Sequence, residues 1–194
     1  KPIIAQDGKP RLKVRVKLEI VADHLKIRSK RHEAQIGRVA KQYNLDPALI
    51  FAVIHTESEF NPRARSPAPA FGLMQLMAKT GAREAYQYLY KEEKIVSPEY
   101  LYDPNNNILL GATYLYMLKT RHFPTIKDSD NQSTLMIAAY NCGPGCVRRT
   151  ITSKNDVNVM SSEQLLALVG RAVPKETQAY VPRVRGRIEA YRQL

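Results

Sequence analysis

The spacing of apolar positions changes period once along this chain. Leu12, Val14, Val16, Leu18 and Ile20 alternate with Lys13, Arg15, Lys17 and Glu19, which is the period of a strand with one apolar face. Ile3-Ile4 supplies a shorter partner strand, with Asp7-Gly8 as turn material between the two. An isolated two-stranded hairpin is marginally stable. Residues 1–20 therefore either pack on the main domain or are the remnant of a preceding one. From Val21 onward the period is helical. Ile36, Val39, Ala40 and Tyr43 are spaced i, i+3, i+4, i+7. Asp46-Pro47 is an N-cap followed by proline at the first helical position. It opens a helix in which Ala48 to Ile54 are apolar on every side, as in a buried helix, and Asn61-Pro62 closes it. Residues 72–90 read as one or two further helices. Asp103-Pro104 repeats the cap and opens a helix to about Lys119, with Ile108, Leu109, Ala112, Leu115 and Tyr116 inward. Ser133 to Asn141 is a short apolar segment, and 151–160 reads as a polar surface loop. Ser161 or Ser162 caps a helix carrying Leu165, Leu166 and Leu168. Thr177 to Tyr191 is helical, with a break or restart at Pro182. The pattern predicts a mainly α domain over 21–194, with a short N-terminal β strand or hairpin as its exception.

A length of 194 residues and 44% hydrophobic content fit one domain with a substantial core. The longest purely apolar run, Ala48 to Ile54, is seven residues, far short of the roughly 20 that span a bilayer. The chain starts at Lys1 without Met or an apolar leader, so it is expected to be a mature or trimmed fragment, with any signal peptide or lipid anchor lying in the precursor. The net charge is +12, unevenly placed: residues 1–41 hold twelve Lys or Arg and four Asp or Glu, hence 12 − 4 = +8. Such a surface steers polyanions. Nucleic acid, anionic lipid and peptidoglycan, whose stem peptides carry carboxylates, all qualify. No zinc-finger spacing or RNA-recognition aromatic motif favours nucleic acid, and none is expected as a partner.

Cys142 and Cys146 flank Gly143-Pro144-Gly145. They either close a small loop disulfide or stay free thiols in tight packing. A Cys-x3-Cys pair without a nearby His is a poor metal signal. His24, His32, His55 and His122 form no ligand cluster, so neither a metal nor a cofactor is expected.

The candidate chemistry lies at Glu57. It falls seven residues after Ile50, four after Val53 and three after Ile54, on the face those side chains use for packing. Desolvation raises the pKa of a carboxyl so placed and keeps it protonated near neutral pH, as a general acid requires. On position alone, an ordinary surface Glu rotated outward is the alternative. Glu59 points to the opposite side of the helix and is expected to be solvated.

Three blocks bear on that choice. The first is Glu57-Ser58-Glu59-Phe60-Asn61-Pro62, with Ser66-Pro67-Ala68 and Gly72-Leu73-Met74-Gln75 after it. The second is Ala138-Ala139-Tyr140-Asn141-Cys142-Gly143-Pro144-Gly145. The third is Tyr180-Val181 ahead of the closing helix. In this order, over roughly residues 32–192, they resemble the catalytic core of the lytic transglycosylases, with a layout closest to the family's membrane-bound C branch. The resemblance implies a lysozyme-like helical domain of the goose-type and transglycosylase kind over residues 21–194. It also implies a periplasmic enzyme acting on peptidoglycan glycan strands. Outer-membrane attachment as a lipoprotein, through an anchor missing from this chain, fits the membrane-bound branch.

By the same resemblance Glu57 is the single acid and base. It protonates the oxygen of the β-1,4 bond between N-acetylmuramic acid and N-acetylglucosamine. The muramic acid C6 hydroxyl then attacks C1, leaving a 1,6-anhydro end. Glycosidases that use two carboxylates flank the bond with both. Here the only neighbour in sequence is Glu59, on the wrong face, while Asp103 or Asp156 approaching through the fold stays open. A lone acid suits an intramolecular nucleophile. Ser66 matches the serine that hydrogen-bonds near the acid or the substrate. Met74 and Gln75 match the pair lining the sugar cleft, with Gln75 the better direct ligand. Asn141 matches a sugar ligand, Tyr140 a cleft wall, and Tyr180 the tyrosine that orients the acid. Phe71, Pro69 and Cys142 depart from the family pattern and leave the local cleft shape open. A lysozyme-like hydrolase and a non-catalytic peptidoglycan-binding module are the competing readings.

Overall fold

The computed structural model describes residues 2–4, 10–12 and 21–193 of the chain. Strands β1 (Pro2–Ile4) and β2 (Pro10–Leu12) pair antiparallel, with Ile3 opposite Arg11. The pairing of Ile3-Ile4 with the segment at Leu12 is thus present. The alternating run from Lys13 to Ile20 and the Asp7-Gly8 turn lie outside the described residues. Helices α1 (Val21–Lys30) and α2 (Glu33–Tyr43) come next, and Ile36, Val39, Ala40 and Tyr43 are buried as their spacing requires.

Helix α3 (Pro47–Ser58) is the centre of the domain. The Asp46 side chain accepts from the Ala48 N–H at 2.8 Å, so the cap is formed. Ile50, Val53 and Ile54 expose no surface, each contributing about 1.5–3 kcal/mol of burial. The helix ends before Asn61-Pro62: Glu59 and Phe60 both adopt left-handed φ, 50° and 61°, and the Glu59 N–H bonds back to the His55 carbonyl. This turn leaves Glu59 exposed and drives Phe60 into the core.

The segment after it differs from the sequence expectation of helix from residue 72. Strands β3 (Ala70–Phe71) and β4 (Leu76–Met77) form a second antiparallel pair, and helix α4 (Gly81–Tyr90) starts only beyond it. Left-handed φ values at Gly72 (76°) and Gln75 (45°) prevent a helix here. An added Cβ at Gly72 would collide with the Leu101 carbonyl and the Asn107 side chain.

Helices α5 (Pro98–Tyr102) and α6 (Pro104–Met117) are capped by Ser97 and Asp103, and α6 runs into a π-helical turn, Leu118–His122. Helix α7 (Ser129–Cys142) begins four residues before the apolar stretch, because Asp128 caps it. Then come α8 (Pro144–Val147), a second π-helical turn (Arg148–Thr152) and a 3-10 turn (Val157–Val159). The segment expected to be a polar loop therefore holds the end of the second π-helical turn and the whole 3-10 turn, with Ile151 and Val157 buried. Ser161, not Ser162, caps α9 (Ser162–Ala172) in a capping box with Gln164.

Helix α10 (Lys175–Arg192) is continuous through Pro182, against the expected break. Pro182 is exposed, so the lost backbone bond faces water, and Val181 and Val184 beside it pack in the core. Helix α10 lies along α3 and reaches α7, while α6 spans α2 and α4. Arg185 ties α10 to α7 by a bidentate pair with Asp130 at 2.9 Å and a bond to Thr134. No described helix is long and apolar enough to cross a membrane.

Candidate active site

Glu57 stands in the last turn of α3, where the helix leaves the core. Ser58 beside it donates to the Leu73 carbonyl at 2.7 Å and pins the helix end to the β3–β4 segment. The tip of that segment is held by Asn107, which is fully buried on α6. Its Oδ1 accepts from the Met74 N–H at 2.8 Å. Its Nδ2 donates to the carbonyls of Phe71 (2.9 Å) and Leu101 (2.7 Å). From the other side the Tyr140 hydroxyl donates to the Met74 carbonyl at 2.8 Å. The β3–β4 segment, the end of α7 and the start of α10 enclose a cleft of about 530 Å³. Glu57, Ser66, Gln75, Tyr140 and Asn141 line it.

Glu57 is partly buried and lines the cleft. Its Oε1 accepts from the Tyr180 hydroxyl at 2.7 Å, across 123 residues of sequence. Burial is the largest influence and raises its pKa from 4.5 to about 7. The Tyr180 hydrogen bond opposes the rise, the negative charge of Glu176 adds to it, and Arg183 draws it back. Tyr180 and Tyr140 are both held well above the ordinary tyrosine range, first by burial and then by the charge of Glu57, so both hydroxyls keep their protons as donors. A carboxyl near 7 is half protonated at neutral pH, able to give a proton and take one back. The Tyr180 bond favours the ionised form. Tyr180→Phe is therefore expected to move the Glu57 pKa upward from about 7, by roughly one pH unit for one hydrogen bond to a charged group. A carbon-detected NMR titration of the Glu57 carboxyl checks this; an unchanged midpoint would show that the bond does not set it.

The other expected positions fall differently. Ser66 is on the cleft wall, but its hydroxyl donates to the Ala68 carbonyl and its backbone N–H to the Ala70 carbonyl, so it shapes a turn. Met74 requires a correction: its side chain is fully buried against Gly111 and does not line the cleft. What it brings to the site is its backbone. Gln75 lies on the wall with its amide bonded to the carbonyls of Ala64 (3.0 Å) and Gly72 (2.9 Å). Asn141 accepts from the Thr177 hydroxyl at 2.6 Å and donates to Glu176 at 3.3 Å. Cys142 and Cys146 are disulfide-bonded, with Cα atoms 5.9 Å apart, and Cys142 sits on the cleft rim. Phe71 packs in the core rather than in the cleft, edge-on to Tyr102.

Asp103 and Asp156 do not approach the site; they cap α6 and the 3-10 turn. The additional cleft carboxylates are instead Glu84 and Glu176, which sequence reasoning misses, as it does Tyr114. Glu176 has one usable signal, since it is acidic in the first turn of α10 and one residue before Thr177. Glu84 has none. Among the described residues no group of three or more His, Cys, Asp or Glu is placed to hold a metal ion.

Comparison with known proteins bears on the family and the fold. A model of the Transglycosylase SLT domain family matches residues 35–160. Membrane-bound lytic murein transglycosylase C of Haemophilus influenzae (strain PittEE) is 35% identical over 164 residues, 82% of this chain and 46% of that protein. The namesake from Mannheimia succiniciproducens is 32% identical over 184 residues, covering 92% and 51%. The chain thus spans about half the length of these curated relatives. Among solved structures, lytic transglycosylase Slt of Pseudomonas aeruginosa, an inactive Glu-to-Gln mutant, superposes with a TM-score of 0.70 at 32% identity, over 90% of this chain and 26% of that one. The 70 kDa soluble lytic transglycosylase of Escherichia coli gives 0.68 at 26% identity, over 88% and 26%, and a 70 kDa soluble lytic transglycosylase in complex with bulgecin A gives 0.68 at 27%. The fold is the lysozyme-like helical fold of these enzymes, and the chain belongs to the Transglycosylase SLT domain family.

Proposed function

We propose that this domain is a peptidoglycan lytic transglycosylase that cleaves the MurNAc-β-1,4-GlcNAc bond without water and leaves 1,6-anhydro-MurNAc ends. The observation that carries the reading is Glu57. One carboxyl is poised near pH 7 by burial, faces a cleft, and is held by the Tyr180 hydroxyl. In the first half of the reaction Glu57 gives its proton to the glycosidic oxygen. In the second, now ionised, it takes the proton of the C6 hydroxyl as that oxygen attacks C1 and closes the anhydro ring. The acid is returned to its starting state, with no water consumed. Tyr180 keeps the carboxyl in one orientation and stabilises its ionised form between the two steps. Gln75, Asn141 and the wall at Tyr140 and Ser66 are the proposed sugar contacts, with Met74 acting through its backbone. The names of the relatives, and the inactive Glu-to-Gln mutant of one of them, support the same reading.

Residues 21–194 are the proposed catalytic domain, and residues 1–20 the remnant of a preceding domain. The proposed location is the periplasm, with outer-membrane anchoring as a lipoprotein. A hydrolytic reading rests on Glu84 and Glu176, which share the cleft and offer a second carboxylate to activate water. Mass spectrometry of digested peptidoglycan separates the two. Anhydro ends without new reducing ends are expected; reducing ends would establish hydrolysis.

A further inference from the structure

Glu84 borders the cleft and also a second recess of about 480 Å³. The recess is walled by Tyr88 and Lys91 of α4 and its C-cap, and by Arg121 and His122 of the π-helical turn. That turn closes with the Phe123 N–H on the Leu118 carbonyl at 3.0 Å, five residues back. The added residue swings Arg121 over the Tyr88 ring, its guanidinium carbon 4.6 Å from the centroid. Turns of this kind inside α-helices occur often at functional sites. Lys91 Nζ sits 4.9 Å from the centroid of the same ring and donates to the Tyr88 carbonyl at 2.8 Å. One ring therefore gathers two cations. Among the described residues neither cation has a carboxylate within salt-bridge distance, whereas Arg83 and Arg185 each have one and Arg192 has two. Glu84 offsets one of the two charges, and the recess stays net positive.

We propose that this recess is an anion subsite of the cleft that receives a carboxylate carried on a peptide substituent of the glycan strand. The proposal rests on the peptidoglycan reading of the site. Arg121 presents a planar fork suited to a carboxylate, and Lys91 adds a mobile point charge. Glu84, at the border, repels the same carboxylate from the Glu57 side of the cleft and so fixes which side the peptide takes. A volume near 480 Å³ accommodates a short acidic side group.

The test compares wild type with the K91Q/R121Q double variant. Both positions are exposed, and glutamine keeps much of the side-chain stem. Three substrates are used: peptide-bearing glycan strands, the same strands with their peptide carboxyls amidated, and peptide-free strands. The readout is the ratio of kcat/KM on carboxylated over amidated strands. Wild type is expected to show a ratio of about ten, carried mainly by KM and shrinking as salt rises. In the variant the ratio falls to about one. A wild-type ratio near one, or a variant that keeps the wild-type ratio, overturns the subsite. Peptide-free strands report the Glu57 reading separately. Turnover there with no discrimination defeats the subsite alone, and no turnover on any strand defeats both.

Discussion

Replacing Glu57 with Gln is expected to lower turnover of peptidoglycan at least ~10³-fold, because one group serves both proton transfers and each is worth roughly 10²–10⁴. Gln keeps the volume, and its carbonyl still accepts from the Tyr180 hydroxyl, so binding to glycan strands is expected to survive. The same variant makes an opposite prediction for stability. The unfolded chain releases the Glu57 proton near 4.5 and the folded chain holds it to about 7. Wild type therefore loses stability as pH rises between those values and stays at the lower level above them. The amide does not titrate. Glu57→Gln should match wild type at pH 4 and exceed it at pH 8 by up to about 3 kcal/mol, the size of that pKa difference. Activity within tenfold of wild type would remove Glu57 as the acid. A stability gain equal at both pH values would show that repacking, not the proton, is responsible.

Asn107→Ala is expected to destabilise the fold more than any other polar substitution proposed above. It strands three buried groups at once: the Met74 N–H and the carbonyls of Phe71 and Leu101. Each orphaned group costs about 1–3 kcal/mol, so the expected loss is at least about 3 kcal/mol. For a chain of this size that corresponds to a Tm about 10 °C lower. Thermal unfolding checks it. Asp is no rescue, because a carboxylate cannot donate to the two carbonyls. Activity should fall even below the melting range, since Asn107 fixes the turn that places Gln75. A cost under about 1 kcal/mol would mean that water takes over the three bonds.

The helices are legible in the sequence because their signals are local. Asp46-Pro47 and Asp103-Pro104 announce α3 and α6 through groups within three residues of each other, and Ile36 to Tyr43 report one buried face directly. The place of Glu57 on the packing face is legible for the same reason, since its distance from Ile50, Val53 and Ile54 is set by helix geometry. Position alone leaves an outward surface Glu open, and only the three sequence blocks point to it as the acid. The β3–β4 turn is not. Its conformation rests on left-handed φ at Gly72 and Gln75 and on Asn107, which lies over thirty residues away on another helix. Met74 reads as a cleft residue because it neighbours Gln75. The reversal of the chain between them sends one side chain into the core and the other to the wall. Pro182 reads as a break in isolation, but packing on α3 holds the helix together on both sides of it. The carboxylates that share the cleft, Glu84 and Glu176, are brought in by tertiary packing, which no local spacing encodes.

The hydroxyl that steadies Glu57 arrives with α10, 123 residues further along. A nascent polypeptide that has not yet emerged past Tyr180 holds an acid with no partner, beside a groove missing one bank. The acid thus gains its Tyr180 partner, and the cleft its Glu176 wall, only once the closing segment has been made, so this part of the site is completed by the last element of the chain.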